Sequence, residues 1–426
     1  MTRRNPVLAI GAVLSMTLIG VSLFDARALS VEFVGLMLVA GGAYVAALVL
    51  VSRGPGSRRL LAVCLVLSAV WRVALLAGAP LVSDDVYRYV WDGRVQRFGV
   101  NPYETAPDDP AVEHLHTDLT RRIDPTSAEL PTIYPPAAEL FFQLVTTVHE
   151  SVMAMVLAVL LCDALIVFVL WRWLVTTGRD PWWVLAYAWH PLVALEGAGG
   201  GHIDVVGTLL VVTAAYALTQ RRTFLASAAL AVSVAIKFLP VVLVPLFWRR
   251  VRPRDVLASL GIVVLLYLPF TSLDTGLPFG SLGTYAEQWR FNGPFFAMLE
   301  PWLGTLSVLA LATIGGVALA TVARARLEVS DPAAWAWPMA AVLLLMPAVY
   351  PWYLVWMTPF LTTRLTWPLV AWTLTSLTTY VVWSSEAAGT GWVLPGWVVP
   401  LEYGLVAGVA VWVWLTSGPF SRRTAS

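Results

Sequence analysis

The chain has 426 residues, of which 58% are hydrophobic and only 12% charged, and its formal net charge is +1. Soluble domains carry about 25% charged residues, so a soluble globular protein is excluded, and a near-neutral chain offers nucleic acid no electrostatic footing. What remains is an all-α polytopic membrane protein, expected as one membrane-embedded unit over 1–426.

The charged start, MTRR, leads into an apolar run of about 18 residues, longer than the roughly 7–15 of a signal peptide. Residues 7–24 therefore read as an uncleaved first span. A span needs about 20 apolar residues, fewer inside a packed bundle. On that rule 31–51 and 60–79 follow, then a long polar loop over 80–135. Further spans fall at 151–173, 181–197, 202–219 and 255–271, with an unusual segment at 223–248. A second polar loop covers 272–300, and the last spans are 301–322, 335–348, 351–363, 367–384 and 398–416. The total is about 12–14 transmembrane or re-entrant helices. Cys64 and Cys162 sit in separate apolar runs, so no disulfide is expected. No internal repeat stands out, which weighs against a transporter built from two inverted halves.

Arginines in short loops set the orientation. Arg3 and Arg4, Arg58 and Arg59, Arg221 and Arg222, Arg249 and Arg250, and Arg422 and Arg423 all fall on one side. This places both termini in the cytoplasm of a plasma-membrane protein and both long loops outside. Segment 223–248 has an arginine pair at each end and is interrupted by Lys237, the only lysine, and Pro240. One span would strand one pair on the wrong side, so two short helices are expected, turning near Lys237. The stretch 335–363 repeats this design, turning at Tyr350-Pro351-Trp352-Tyr353.

The first polar loop opens with SDDVYRYVWDGRVQRFGVNPY, Ser83–Tyr103. Val86, Tyr89 and Val90 share one helical face, with Trp91 and Val95 beside it. Val86–Phe98 thus reads as an amphipathic helix on the membrane surface, capped by Ser83 and opened by Asp84 and Asp85. A single acid suffices for a helix start. Two adjacent carboxylates at a membrane boundary exceed that need, and ionisable groups there usually mark function. One carboxylate suits a general base on a hydroxyl; the other suits orienting an acceptor or holding a divalent cation, Mg or Mn, as the one cofactor left open.

Gly199–Asp204 (GGGHID) joins two spans on the same side as the acidic pair. Its bland reading is a glycine turn with an Asp cap; its functional reading has His202 touching a sugar or phosphate. Lys237 is either a snorkelling lysine or the partner of a lipid phosphate, a role for which Arg88, Arg94 and Arg290 compete. Tyr350-Pro351-Trp352-Tyr353 suits an interfacial aromatic belt or a sugar platform. His114 and His116 alone on a loop do not make a zinc site, so no metal ligand is expected. No P-loop, G-x-S-x-G or H-E-x-x-H occurs.

Taken together, SDDVYRYVWDGRVQRFGVNPY, LPTIYPPAAELFF, GGGHIDVVGTLL, AIKFLPVVLVPLFWRR and YPWYLVWMTPFL resemble the bacterial GT-C glycosyltransferases. More closely they resemble the polyprenol-phosphate-mannose-dependent mannosyltransferases, over about residues 80–363. The resemblance implies a bundle of many transmembrane helices with an amphipathic helix in the first outer loop. It implies an inverting hexosyl transfer, mannose being the expected sugar, from a polyprenyl phosphate donor to a glycan or glycolipid acceptor. Its catalytic acid would fall on Asp84 or Asp85. Many members carry spaced acids, so adjacency leaves open which of the two is the base. Donor phosphate would meet Arg88, Lys237 or His202. Substrate contacts would come from Tyr87, Asp92, Asn101, Tyr103, Tyr134, Asp204, Tyr350, Trp352 and Tyr353. Two rivals remain: a flippase or transporter of lipid-linked sugars, which needs charges along a path through the membrane, and an oligosaccharide polymerase or ligase, which needs more basic residues for two phosphates.

Overall fold

The computed structural model describes residues 4–54, 56–271 and 278–417. They form a helical bundle, and among the described residues the one β contact is a bridge between Phe291 and Ala348. The first three helices are α1 (Arg4–Val21), α2 (Ser30–Ser52) and α3 (Arg58–Ala77). Helices α4 (Asp85–Arg97), α5 (Pro136–Val148) and α6 (Val152–Thr176) follow. Then come α7 (Asp204–Thr219), α8 (Thr223–Val234) and α9 (Pro253–Tyr267). The remainder holds α10 (Pro294–Leu303), α11 (Thr305–Arg326), α12 (Ala333–Leu344), α13 (Trp367–Thr375) and α14 (Val398–Ser417). Six helices are long and apolar enough to cross a membrane by length and composition. Four shorter apolar helices, 6–21, 204–219, 223–234 and 333–344, accompany them. Both cysteines are free.

Segment 223–248 is indeed two short helices. After α8 the chain turns at 235–238 and returns as a 3-10 helix, Leu239–Phe247. Pro240 and Pro245 each lack an N–H donor, which favours the tighter, shorter form. At about 2.0 Å per residue, nine residues rise only about 18 Å, well short of a roughly 30 Å hydrocarbon core. The two ends of the hairpin meet the same face: the Thr223 hydroxyl bonds Asp255 at 2.5 Å, and Arg324 donates to the Trp248 carbonyl at 3.1 Å. Its tip lies at the far face, against Asp204 at the start of α7. The second hairpin pairs α12 with a 3-10 helix, Pro351–Phe360. Elsewhere the pattern misjudged lengths. The region 181–200 is a run of short helical pieces ending in a π-helical turn, Leu195–Gly200. The span expected at 301–322 is α11, and a separate ten-residue helix, α10, precedes it across Gly304.

Helix α4 lies one residue earlier than expected, and it is no surface helix. Val86 through Gly93 are all buried. The return loop folds over its outer side, so that Tyr87, Trp91 and Val95 pack with Val112, Leu115 and Ile123. Its inner side packs on α5, where Gly93 sits against the Phe142 carbonyl and leaves no room for a Cβ.

A buried ion pair fastens α3 to α6. The Arg72 guanidinium pairs with Asp163 and donates to the carbonyls of Ser68 and Ala188, and the Tyr187 hydroxyl donates to Asp163 at 2.8 Å. Arg72→Met should destabilise the detergent-solubilised protein by about 3–5 kcal/mol, because Asp163 is left buried and uncompensated. Arg72→Met with Asp163→Leu should recover most of that loss, as read by thermal unfolding.

Candidate active site

One cavity of about 680 Å³ opens at the face where the hairpin tips converge. Its wall is drawn from five stretches: 82–88, 123–134, 281–291, 350–353 and 379–392. Backbone bonds tie them together. Leu81 N–H donates to Gly199, Ala137 N–H to Ala235, Ser281 N–H to Thr132, and Val349 N–H to Phe291. Loops far apart in sequence are thus fixed relative to the start of α4.

The two adjacent carboxylates have different fates. Asp84 is gripped by Arg27, which donates two bonds of 2.8 Å to its oxygens. Arg27 also lies over the Trp383 ring, 4.5 Å from its centroid, and Trp383 donates to the Val82 carbonyl at 3.2 Å. Asp84 occupies the cap position of α4 but caps nothing, while the Ser83 hydroxyl accepts from Asp85 N–H at 3.3 Å. Asp85 has no cation bonded to it and faces the cavity, its side chain 34% exposed. Burial pushes its carboxyl up to about 6, against the pull of Lys237, with Asp204, Asp84 and Asp124 adding to the rise. A group charged above about pH 6 and neutral below it is suited to taking a proton near neutrality.

Of the other residues singled out in the sequence, Arg88, Tyr134, Tyr350, Trp352 and Tyr353 line this cavity. Arg88 pairs with Asp92 at 2.8 Å and donates to the Ser127 and Leu130 carbonyls at 2.7 and 2.9 Å, which holds the return loop. Its Nη2 is left without a partner. Lys237 stands behind the wall: it bonds Asp204 at 2.8 Å and lies 3.8 Å from the Tyr353 ring centroid. Asp204 also accepts from the Trp356 indole at 2.6 Å, so it anchors two hairpins rather than a substrate. His202 is likewise behind the wall, wholly buried and stacked on Trp352 at 4.3 Å. Its Nδ1 is 3.8 Å from Asp85 and its Nε2 is 3.3 Å from Glu196. Gly201, at φ 66°, makes the left-handed turn that delivers it.

Four more of the assigned residues, Tyr87, Asp92, Asn101 and Tyr103, also do not line the cavity. Tyr87 is covered by the return loop, its hydroxyl 3.4 Å from Arg122. Asp92 is fully buried beside Arg88 and Glu139. Burial and the neighbouring Asp92 drive the Glu139 carboxyl well above its usual range, while Asp92 is paired with Arg88. Asn101 shapes a turn, accepting from Tyr103 N–H at 3.1 Å and donating to Glu104 at 2.9 Å. Tyr103 donates to the Tyr134 carbonyl at 2.6 Å. Burying α4 on both sides took Tyr87 and Asp92 into packing, while Asn101 and Tyr103 serve the turn beyond it.

Arg27, Glu196 and Tyr285, which the sequence reading passed over, also stand at or behind the cavity wall. Arg27 had a signal, being an arginine at the poorly basic end of the bundle. Glu196 had one too, as a carboxyl inside an apolar segment. Tyr285, whose hydroxyl meets that of Tyr353 at 2.5 Å, gave none. Arg27 already holds both Asp84 oxygens, so Asp85 is the carboxylate of the pair left open, and among the described residues no group of three or more His, Cys, Asp or Glu is placed to hold a metal ion. His116 is spent on the Pro107 carbonyl at 2.8 Å and on the Trp91 ring.

If Arg27 and Asp84 act as one clamp, Arg27→Gln and Asp84→Asn should each cost about 1 kcal/mol of stability. The double variant should lose no more than either alone. Additive losses in thermal unfolding would reject the clamp.

Residues 5–251 match the family model described as alpha-(1->6)-mannopyranosyltransferase, N-terminal domain. Alpha-(1->6)-mannopyranosyltransferase A of Mycobacterium tuberculosis is 26% identical over 336 residues, 68% of this chain. The match spans 63% of that relative's length. No solved structure matches the chain.

Proposed function

The chain belongs to the alpha-(1->6)-mannopyranosyltransferase family, and from that premise we propose that it transfers mannose from a polyprenyl phosphate donor to the 6-hydroxyl of a mannosyl glycan or glycolipid. The single observation carrying this reading is Asp85, the member of the acidic pair that no arginine holds, set in the wall of a large cavity. The donor's tail stays in the membrane and its head group enters the cavity on the extracytoplasmic side, the side opposite the arginine-rich loops. Asp85 accepts the proton of the acceptor hydroxyl. The oxygen attacks the anomeric carbon from the face opposite the phosphate, and the configuration inverts. The phosphate leaves as an anion, so charge neutralisation is the larger task. Arg88, with its free Nη2, and Arg290 are the cations on the cavity wall suited to it. Trp352 and Tyr350 are closed in a stack between His202 and Phe291, so the rings on the wall that offer flat faces for sugars are Tyr285 and Trp392. A flippase would need charges along a path; Arg72 and Asp163 lie within the bundle but are closed on each other.

The test is transfer by the purified chain in detergent, with polyprenyl-phosphate mannose and a panel of mannosides. Asp85→Asn should lower kcat by about 10²–10⁴-fold, while Asp84→Asn should lose less. Wild-type kcat/KM should rise as pH climbs through about 6, because Asp85 must be charged to accept a proton. Chelator should leave the rate unchanged. Full turnover by Asp85→Asn would falsify the assignment.

A further inference from the structure

Behind the cavity wall lies a chain of buried polar groups that mannosyl transfer, as derived above, does not use. Tyr380 donates to Glu196 Oε1 at 2.6 Å. Glu196 Oε2 faces His202 Nε2 at 3.3 Å, and His202 Nδ1 faces Asp85 Oδ2 at 3.8 Å. Glu196 and His202 are both fully buried, and neither ring nitrogen makes a hydrogen bond in this state. Two buried polar groups without full partners are costly, and nothing in the packing requires a carboxyl at 196 or an imidazole at 202. The ring cannot turn away, being stacked on Trp352, which is itself stacked on Tyr350 at 4.5 Å.

We propose that His202 and Glu196 are positioning residues for Asp85: the imidazole Nδ1–H holds one oxygen of the Asp85 carboxylate, and the other oxygen is left to receive the acceptor's proton. The inference rests on the mannosyl-transfer reading. A neutral imidazole has one donor and one acceptor nitrogen. With a carboxylate at Nδ1 the proton belongs there, and Nε2 becomes the acceptor. The proton between Nε2 and Glu196 then belongs to the Glu196 carboxyl, whose other oxygen accepts from Tyr380. Glu196 thereby selects the tautomer, and the ring selects the carboxylate oxygen. Such contacts are often long without substrate and close up in the reacting complex. In the step itself the acceptor O–H breaks and its proton passes to Asp85. The oxygen bonds the anomeric carbon, and the anomeric carbon–phosphate bond breaks with its electron pair on the phosphate. His202 and Glu196 keep their protons throughout, and Asp85 returns its own to water once the product leaves.

The charged groups facing Asp85 are Lys237, Asp204, Asp84 and Asp124, with Glu196 beyond His202. The phenols of Tyr89, Tyr134, Tyr285, Tyr350 and Tyr380 also face it. Phenols titrate near pH 10 at their ordinary value, so the acid limb of the pH–rate profile reports Asp85 under the influence of the nearer groups.

The experiment measures kcat, KM and the pH profile of mannosyl transfer for the full chain in detergent. His202→Leu should lower kcat about 10–100-fold, as loss of an orienting partner commonly does, with KM little changed. Its acid limb should move to higher pH, because the carboxylate loses a donor. His202→Gln restores an N–H donor and should recover most of kcat and return the limb. Glu196→Leu should resemble His202→Leu, whereas Glu196→Gln, whose amide still donates to Nε2, should stay near wild type. Wild-type kcat and an unmoved acid limb in His202→Leu and Glu196→Leu overturn the proposal. If His202→Leu does not fold, Glu196→Leu and His202→Gln decide by the same two readouts. An inactive wild type rejects the transferase reading itself, whereas activity lost in Asp85→Asn but untouched by changes at 196 and 202 rejects only the positioning array.

Discussion

The ion pair between Arg27 and Asp84 governs the chemistry of this site. Two adjacent carboxylates in a partly desolvated wall repel one another, and both cannot be held charged without compensation. Arg27 supplies that compensation to one of them through a fork of two hydrogen bonds, the geometry that a guanidinium offers and an ammonium does not. Asp84 thereby becomes a strut between the loop after α1 and the start of α4. Asp85, on the next residue, is left facing the cavity, with burial raising its carboxyl toward neutrality. An acidic pair that looks symmetrical is divided into one member held by an arginine and one left facing the cavity.

The same economy of charge runs through the bundle. Arg72 is closed on Asp163, Arg88 on Asp92, and Lys237 on Asp204. The first and third pairs join elements that sequence keeps apart, whereas Arg88 and Asp92 pair within α4. Lys237 and Asp204 join the tip of the first hairpin to the start of α7, and Trp356 brings in the second hairpin through the same carboxylate. The polar groups left with incomplete bonding include His202, Glu196 Oε2 and Arg88 Nη2, and these adjoin the cavity. In a membrane protein unsatisfied polarity is costly.

The hairpins explain how a bundle can present so many side chains at one depth. Proline-rich 3-10 segments are too short to cross, so their tips end inside the protein rather than beyond it. Lys237 at one tip meets Tyr353 at the other. The ring stack of His202, Trp352, Tyr350 and Phe291 then connects the glycine turn to the second outer loop.

The sequence by itself determined the membrane class, the two hairpins of short helices, and the position of the acidic pair at the start of α4. Those features are written in local composition, arginine placement and proline spacing, which need no knowledge of the fold. It did not determine which carboxylate is free, because the deciding arginine lies 57 residues away and pairing at that distance leaves no periodic trace. Nor did it show that α4 is buried on both faces, since an amphipathic pattern records only one. Tyr87 and Asp92 therefore looked like site residues and proved to be packing. His202 stood out in the sequence beside its glycine turn, but its neighbours, Asp85 and Glu196, were chosen by the tertiary structure. Residue identity fixes what a side chain can do; only the packing of distant segments sets the partner, and in a low-dielectric site the partner decides the charge.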